Sequence, residues 1–163
     1  ALAGSVVSAG DARLTAAGRR GVPQIVAPGA IDMIDLPSWR PLPEAYAGRP
    51  YHAHNRLIGS VTATADERRR VAHAIGERLG AAAGPTAFVL PLRGVQQWDR
   101  EGEPLRDAAG IAAFVEAARD AVRPPVECVE VDAHVNDPAF CEAVLGVFDR
   151  WVNEGRIVAG VCD

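Results

Sequence analysis

The stretch Tyr51-His52-Ala53-His54-Asn55-Arg56 puts two of the chain's four histidines, an amide and a guanidinium within six residues. Prolines and glycines precede it, a long helical pattern follows it, and no hydrophobic period asks for this composition. In an extended segment His52 and His54 share a face, and such a pair chelates a divalent metal when other ligands complete the shell. Asp32, Asp132 or His134 would complete it. No recognised spacing joins these residues, so a polar surface loop stands beside the metal reading.

A second group is Asp132-Ala133-His134-Val135-Asn136-Asp137. Extended, it points Asp132, His134 and Asn136 the same way, a carboxylate, an imidazole and an amide suited to acid/base work. The alternative is a strand end followed by a helix cap, which is the reading for Asp137, ahead of Pro138. Arg93-Gly94 follows a wholly apolar run. There an arginine can hold a carboxylate or phosphate and a glycine lets the backbone approach it. Ser8, Gly10 and Gly29 close two earlier short runs and are read as binding residues, since Ser8 lacks the context of a nucleophile elbow. No GxGxxG or GxxxxGK[ST] fingerprint is present.

Positioning these residues falls to alternating short runs and helical patterns. Gly4–Ser8 and Gln24–Ala27 read as strands, with Asp11 capping a short helix between them. Residues 30–55, broken by Pro37, Pro41, Pro43 and Pro50, read as a long loop with one helical turn near Glu44-Ala45-Tyr46. Loops of that length are often functional. Thr64-Ala65-Asp66-Glu67 is a capping box opening a helix with Val71, Ile75 and Leu79 as its buried stripe and Arg68-Arg69-Arg70 on its solvated side. Thr86–Pro91 reads as a central parallel strand, Asp107 caps the next helix, and Val126–Asp132 reads as an edge strand. Phe140, Val144, Val147, Phe148 and Trp151 mark the last helix, with Arg156–Asp163 as a final strand or tail. The alternation predicts one α/β domain over residues 1–163: an open, mainly parallel sheet with flanking helices, too short for a closed eight-fold barrel. In such sheets ligands bind beyond the carboxyl ends of the strands, where Ser8, Gly10, Gly29, Asp32, Arg93, Gly94 and residues 132–137 are delivered and to which the long loop can return His52, His54 and Asn55.

The 163-residue chain carries 48% hydrophobic and 23% charged residues and a net charge of −4, so it builds a sizeable core and lacks the positive face that nucleic acid requires. No apolar run reaches the roughly 20 residues of a membrane span. Cys128, Cys141 and Cys162 form no CxxC pair, and without a secretory signal they predict reduced thiols in a cytoplasm. The first two sit in apolar patterns and read as small buried hydrophobes.

Taken in order, Ser8-Ala9-Gly10, Gly21-Val22-Pro23-Gln24, Pro28-Gly29-Ala30-Ile31-Asp32-Met33, His54-Asn55, Leu90-Pro91-Leu92-Arg93-Gly94-Val95 and His134-Val135-Asn136-Asp137-Pro138 resemble blocks of the Tm-one-like ATP-binding-domain family. That family holds a plant virus-resistance protein and bacterial relatives. The resemblance runs over about residues 4 to 152. It implies a two-domain α/β architecture with an ATP-binding association, of which this chain resembles the larger, carboxyl-terminal part of the second domain. It also implies an incomplete sheet, to be covered by a second chain or by the amino-terminal part of the same protein in an oligomer. After His54-Asn55 the chain departs from the family pattern with Arg56-Leu57, and Thr62 stands where the family has an arginine.

Two functional expectations follow. In one, the chain is a subunit or fragment of a small-molecule enzyme of hydrolase or lyase type. His54 and His134 then serve as acid/base groups, Asp32 and Asp132 as their carboxylates, Arg93 as anion holder, and Ser8, Gly10, Gly29, Asn55, Gly94 and Asn136 as substrate contacts. In the other it is a non-catalytic, nucleotide-associated binding or inhibitory module. ATP or a divalent metal is the cofactor that the resemblance and the histidines suggest.

Overall fold

A computed structural model describes residues 5–10 and 12–157. Its centre is the strand Thr86–Pro91, buried along its whole length. Gln24–Val26 (β1) pairs with it in parallel on one side and Glu127–Val131 on the other. Chain order makes Met33–Pro37 β2, Tyr51–Ala53 β3, Ile58–Thr62 β4, Thr86–Pro91 β5 and Glu127–Val131 β6. The parallel sheet therefore runs β1-β5-β6, and the expected open α/β architecture is what is found.

Alternation along β5 explains why it can be apolar throughout. Phe88 and Leu90 face a core built from Ala65–Gly80 (α2) and Ala108–Ala121 (α3). Ala87 and Val89 face Pro138–Asn153 (α4) on the other side, meeting Val147, Trp151 and Phe140. A strand covered on both faces has no use for a polar side. Helices α2 and α3 approach closely because Gly76 leaves room. A Cβ there would lie 2.5 Å from the Ala121 carbonyl oxygen.

The main departure from expectation lies in residues 30–55 and the strand that follows them. Instead of one long loop, β2, β4 and β3 form a second, antiparallel sheet with β4 in the middle. In β2, Ile34 and Leu36 point inward and pack with Val61 and Ala63. The prolines that argued for a loop are tolerated because Pro37 ends β2 and Pro50 precedes β3. The helical turn was placed correctly, at Glu44–Tyr46.

Other corrections are local. Residues 5–8 form no strand; the Val6 amide donates to the Asp35 carbonyl, and the segment merely runs beside β2. The first helix (α1) is only Ala16–Arg19, and its supposed cap, Asp11, lies outside the described residues, as do Gly4 and residues 158–163. Cys128 and Cys141 are exposed, because β6 is an edge strand and Cys141 sits on the outer side of α4. Cys162 lies outside the described residues. Arg68 is 1% exposed rather than solvated. It shares a helix face with Ala72, Ile75 and Leu79, spaced four, three and four residues apart.

Candidate functional site

The loop after β5 is braced from within. The Asp99 carboxylate accepts from the Val95 amide at 2.7 Å, and the Gln96 side chain accepts from the Trp98 amide at 3.3 Å. Arg106 donates to the carbonyls of Arg93 and Asp99. Gly94, with φ of +146°, passes so close that a Cβ would sit 2.6 Å from His134 Cδ2 and closer still to Asp99 Oδ1. His134 comes from the loop after β6 and is 3% exposed. Its Nδ1 accepts from the Asn136 amide at 3.1 Å, which leaves the proton on Nε2. That nitrogen then donates to Asp99 Oδ1 and the Gln96 carbonyl, both at 2.8 Å. Both ring nitrogens are occupied.

Gln96 connects this unit to Asp32, which arrives from the turn after β1 and is fully buried. Arg68 Nη1 stands 3.3 Å from Asp32 Oδ2, and Arg68 Nη2 3.1 Å from Asp107 Oδ2. Asp32 Oδ1 has no hydrogen-bond partner among the described residues. Burial pushes the Asp32 carboxyl above the usual range and Asp99 adds to this; Arg68 and Gln96 oppose it. Asp32, Arg68, Gln96, Asp99 and His134 thus form one polar chain beneath the carboxyl ends of the strands, locking the loops after β1, β5 and β6 together.

The remaining candidates lie outside that chain. Arg93 and Asp132 pair with each other through two hydrogen bonds of 2.8 and 2.7 Å, and the pairing holds the Asp132 carboxyl below its ordinary range. Asp137 stands at the N-cap of α4, yet its side chain accepts from the His134 amide and from Arg100 rather than from the helix. Asn136 donates to Gln97. His52 stacks on Trp98 at 3.9 Å, and His54 meets the same ring edge-on at 5.9 Å, so the two histidines flank an aromatic side chain. Asn55 accepts from the amides of Leu57 and Ile58 through its side-chain Oδ1, closing the β3–β4 turn. The four residues expected to share acid/base work are therefore dispersed: Asp32 and His134 are bridged by Gln96, Asp132 serves Arg93, and His54 rests on Trp98. Among the described residues no group of three or more His, Cys, Asp or Glu is placed to hold a metal.

A cleft of about 610 Å³ opens at the carboxyl end of β1. Ser8, Gly10 and Gly29 line it, as does Arg13. Its far wall is α2, presenting Arg70 and Arg78. The floor includes Val26, Ile75 and Phe88. The two lining carboxylates are already engaged, Asp35 by the Ser60 hydroxyl at 2.6 Å and Glu67 by Arg49 at 2.6 Å. Arg78 donates to the Arg13 carbonyl, and none of Arg13, Arg70 and Arg78 pairs with a carboxylate among the described residues. Apolar below and cationic at the rim, the cleft suits a small molecule with an anionic group.

Residues 1–152 match the family described as the uncharacterised protein family (UPF0261) C-terminal domain. The chain belongs to that family. It is 52% identical over 157 residues to a UPF0261 protein of Brucella melitensis, covering 96% of this chain and 38% of that one. It is 34% identical over 152 residues to a UPF0261 protein of Mesorhizobium japonicum, covering 91% and 38%. To the ToMV resistance protein Tm-1 of Solanum lycopersicum it is 25% identical over 147 residues, covering 89% and 20%. The chain thus spans less than two-fifths of the length of these UPF0261 relatives. The resemblance read from the ordered blocks is confirmed.

Of the sequence candidates in this UPF0261 portion, Ser8, Gly10 and Gly29 reach the cleft. Arg13, Arg70, Arg78, Arg68, Gln96 and Asp99 were missed. A signal existed for two of them: Arg70 and Arg78 are spaced by about two helical turns, with Ala74 between, so they rise from one face of α2. Asp99 gave none, since its role depends on a loop fold with no repeating pattern.

Proposed function

We propose that this chain supplies the ligand-binding part of a small-molecule protein, holding an anionic ligand in the cleft beyond β1. The observation that carries the proposal is the rim of three arginines, without carboxylate partners among the described residues, above an apolar floor. Guanidinium groups bind phosphate and carboxylate through paired hydrogen bonds. The cleft volume falls within the roughly 300–1,000 Å³ of ordinary ligand sites, so a metabolite of nucleotide size is accommodated. ATP, which the resemblance read from the sequence suggests, is the first ligand to test.

Binding is favoured over turnover by the residues described. His134 has both ring nitrogens engaged and Asp132 is tied to Arg93, so neither is free to move a proton. Of the expected acid/base groups, that leaves His54, exposed beside Trp98, for any hydrolase or lyase chemistry. Among the described residues no helix is long and apolar enough to cross a membrane, and the cysteine pattern supports a reducing, cytoplasmic setting. The test is mass spectrometry of small molecules released from the natively purified protein. A co-purifying anionic metabolite at near-stoichiometric level, lost when Arg70 and Arg78 are both replaced by alanine, is the expected result. A neutral or cationic ligand, or one retained by that variant, contradicts the proposal.

A further inference from the structure

Helix α4 is apolar on two sides. Phe140, Val144, Val147 and Trp151 pack on the sheet. One position on from each, Cys141, Leu145, Phe148 and Val152 are exposed, the last three by 57%, 44% and 44%. Their four-three-four spacing is the seam that one helix presents to another. Among the described residues one helix covers the sheet face beneath, and Ile25, Val129 and Val131 on it remain half-buried, while two helices cover the opposite face. A helix apolar on both sides belongs in an interior.

The flanks of the seam indicate what covers it. Glu142 and Asp149 border it and have no cationic partner among the described residues. Two copies of α4 packed antiparallel about a two-fold axis would set Glu142 of one beside Asp149 of the other, a like-charge contact that disfavours self-association. A helix with basic residues beside its own apolar stripe fits instead. More than three-fifths of the length of the UPF0261 relatives lies outside the region matched here, so a second helix for this face has ample chain to come from.

We propose that the exposed α4 seam is the docking surface for a helix supplied by the portion of the UPF0261 architecture outside this chain, carrying an apolar stripe edged by lysine or arginine. This proposal does not depend on the cleft. Cys141, at the amino-terminal end of the seam, reports on it. The experiment measures maleimide labelling of Cys141 in the whole protein, this chain together with that portion, with peptide-level mass spectrometry as readout. The expected result is labelling slower than in the denatured protein by about tenfold or more, unchanged on about hundredfold dilution of the intact polypeptide. Leu145→Lys, which puts a cation against the basic edge of the partner helix, restores fast labelling, whereas Glu142→Gln accelerates it only in part while circular dichroism stays native. Labelling at the denatured rate in the native protein overturns the proposal. So does protection that vanishes on dilution together with a dimer, because a second copy is then the occupant.

Discussion

Gly94 decides whether the three strand-end loops can meet. Its φ of +146° and its approach to Asp99 and His134 leave no room for a side chain. Gly94→Ala is expected to cost about 1–3 kcal/mol in denaturant unfolding, through backbone strain and displacement of the His134–Asp99 hydrogen bond; an unchanged midpoint contradicts this. Asp32 makes a different prediction. Burial, against the pull of Arg68, raises its carboxyl pKa above the value of about 3.9 for an unfolded chain. A raised carboxyl binds its proton more tightly when folded, so its contribution to stability is complete below about pH 4 and is lost as pH rises through the folded pKa. Asp32→Asn, which cannot ionise, removes that loss, and its stability should fall less than the parent's on going from pH 4 to pH 7. Parallel profiles for the two proteins would rule out the raised carboxyl.

Helix α2 serves three surfaces at once. Ala72, Ile75 and Leu79 fill the core, Arg68 enters the buried polar chain, and Arg70 and Arg78 edge the cleft. Its start was fully legible, because Thr64 and Glu67 form the reciprocal capping box read from the sequence; Thr64→Ala should cost about 1 kcal/mol of stability. Its faces were less legible. Val71, Ile75 and Leu79 look like the whole stripe when only apolar residues are counted, and that count conceals Arg68, whose burial depends on Asp32 and Asp107 brought from distant segments. Arg68→Met leaves Asp32 without its cation and is expected to destabilise by about 3 kcal/mol at neutral pH, and by less near pH 4 where the carboxyl takes up a proton. Strands β5 and β6 were readable from an unbroken apolar run and an alternating one. The antiparallel sheet was not, because β2 and β3 are three to five residues long, flanked by prolines, and take their register from β4 rather than from local pattern.

At the scale of the molecule, the parallel sheet supplies a rigid edge and the antiparallel sheet stands beside it, with Asp32 at the junction between β1 and β2. That arrangement separates two regions which the sequence could not tell apart. Histidines 52, 54 and 134 gather around the loops of β5 and β6, where hydrogen bonds and aromatic packing already engage them. The cleft lies at β1, walled by α2 and carrying cations that pair with no carboxylate among the described residues. Residue type drew attention to the first region, while geometry favours the second. The central claim is that the arginine rim binds an anion, and calorimetric titration of the whole protein with ATP and with inorganic phosphate tests it most directly. The account predicts that at least one of the two binds, and that Arg13→Ala, Arg70→Ala and Arg78→Ala each weaken it by about tenfold, the loss of a charge-assisted hydrogen bond. An affinity that stays the same in all three variants would contradict it.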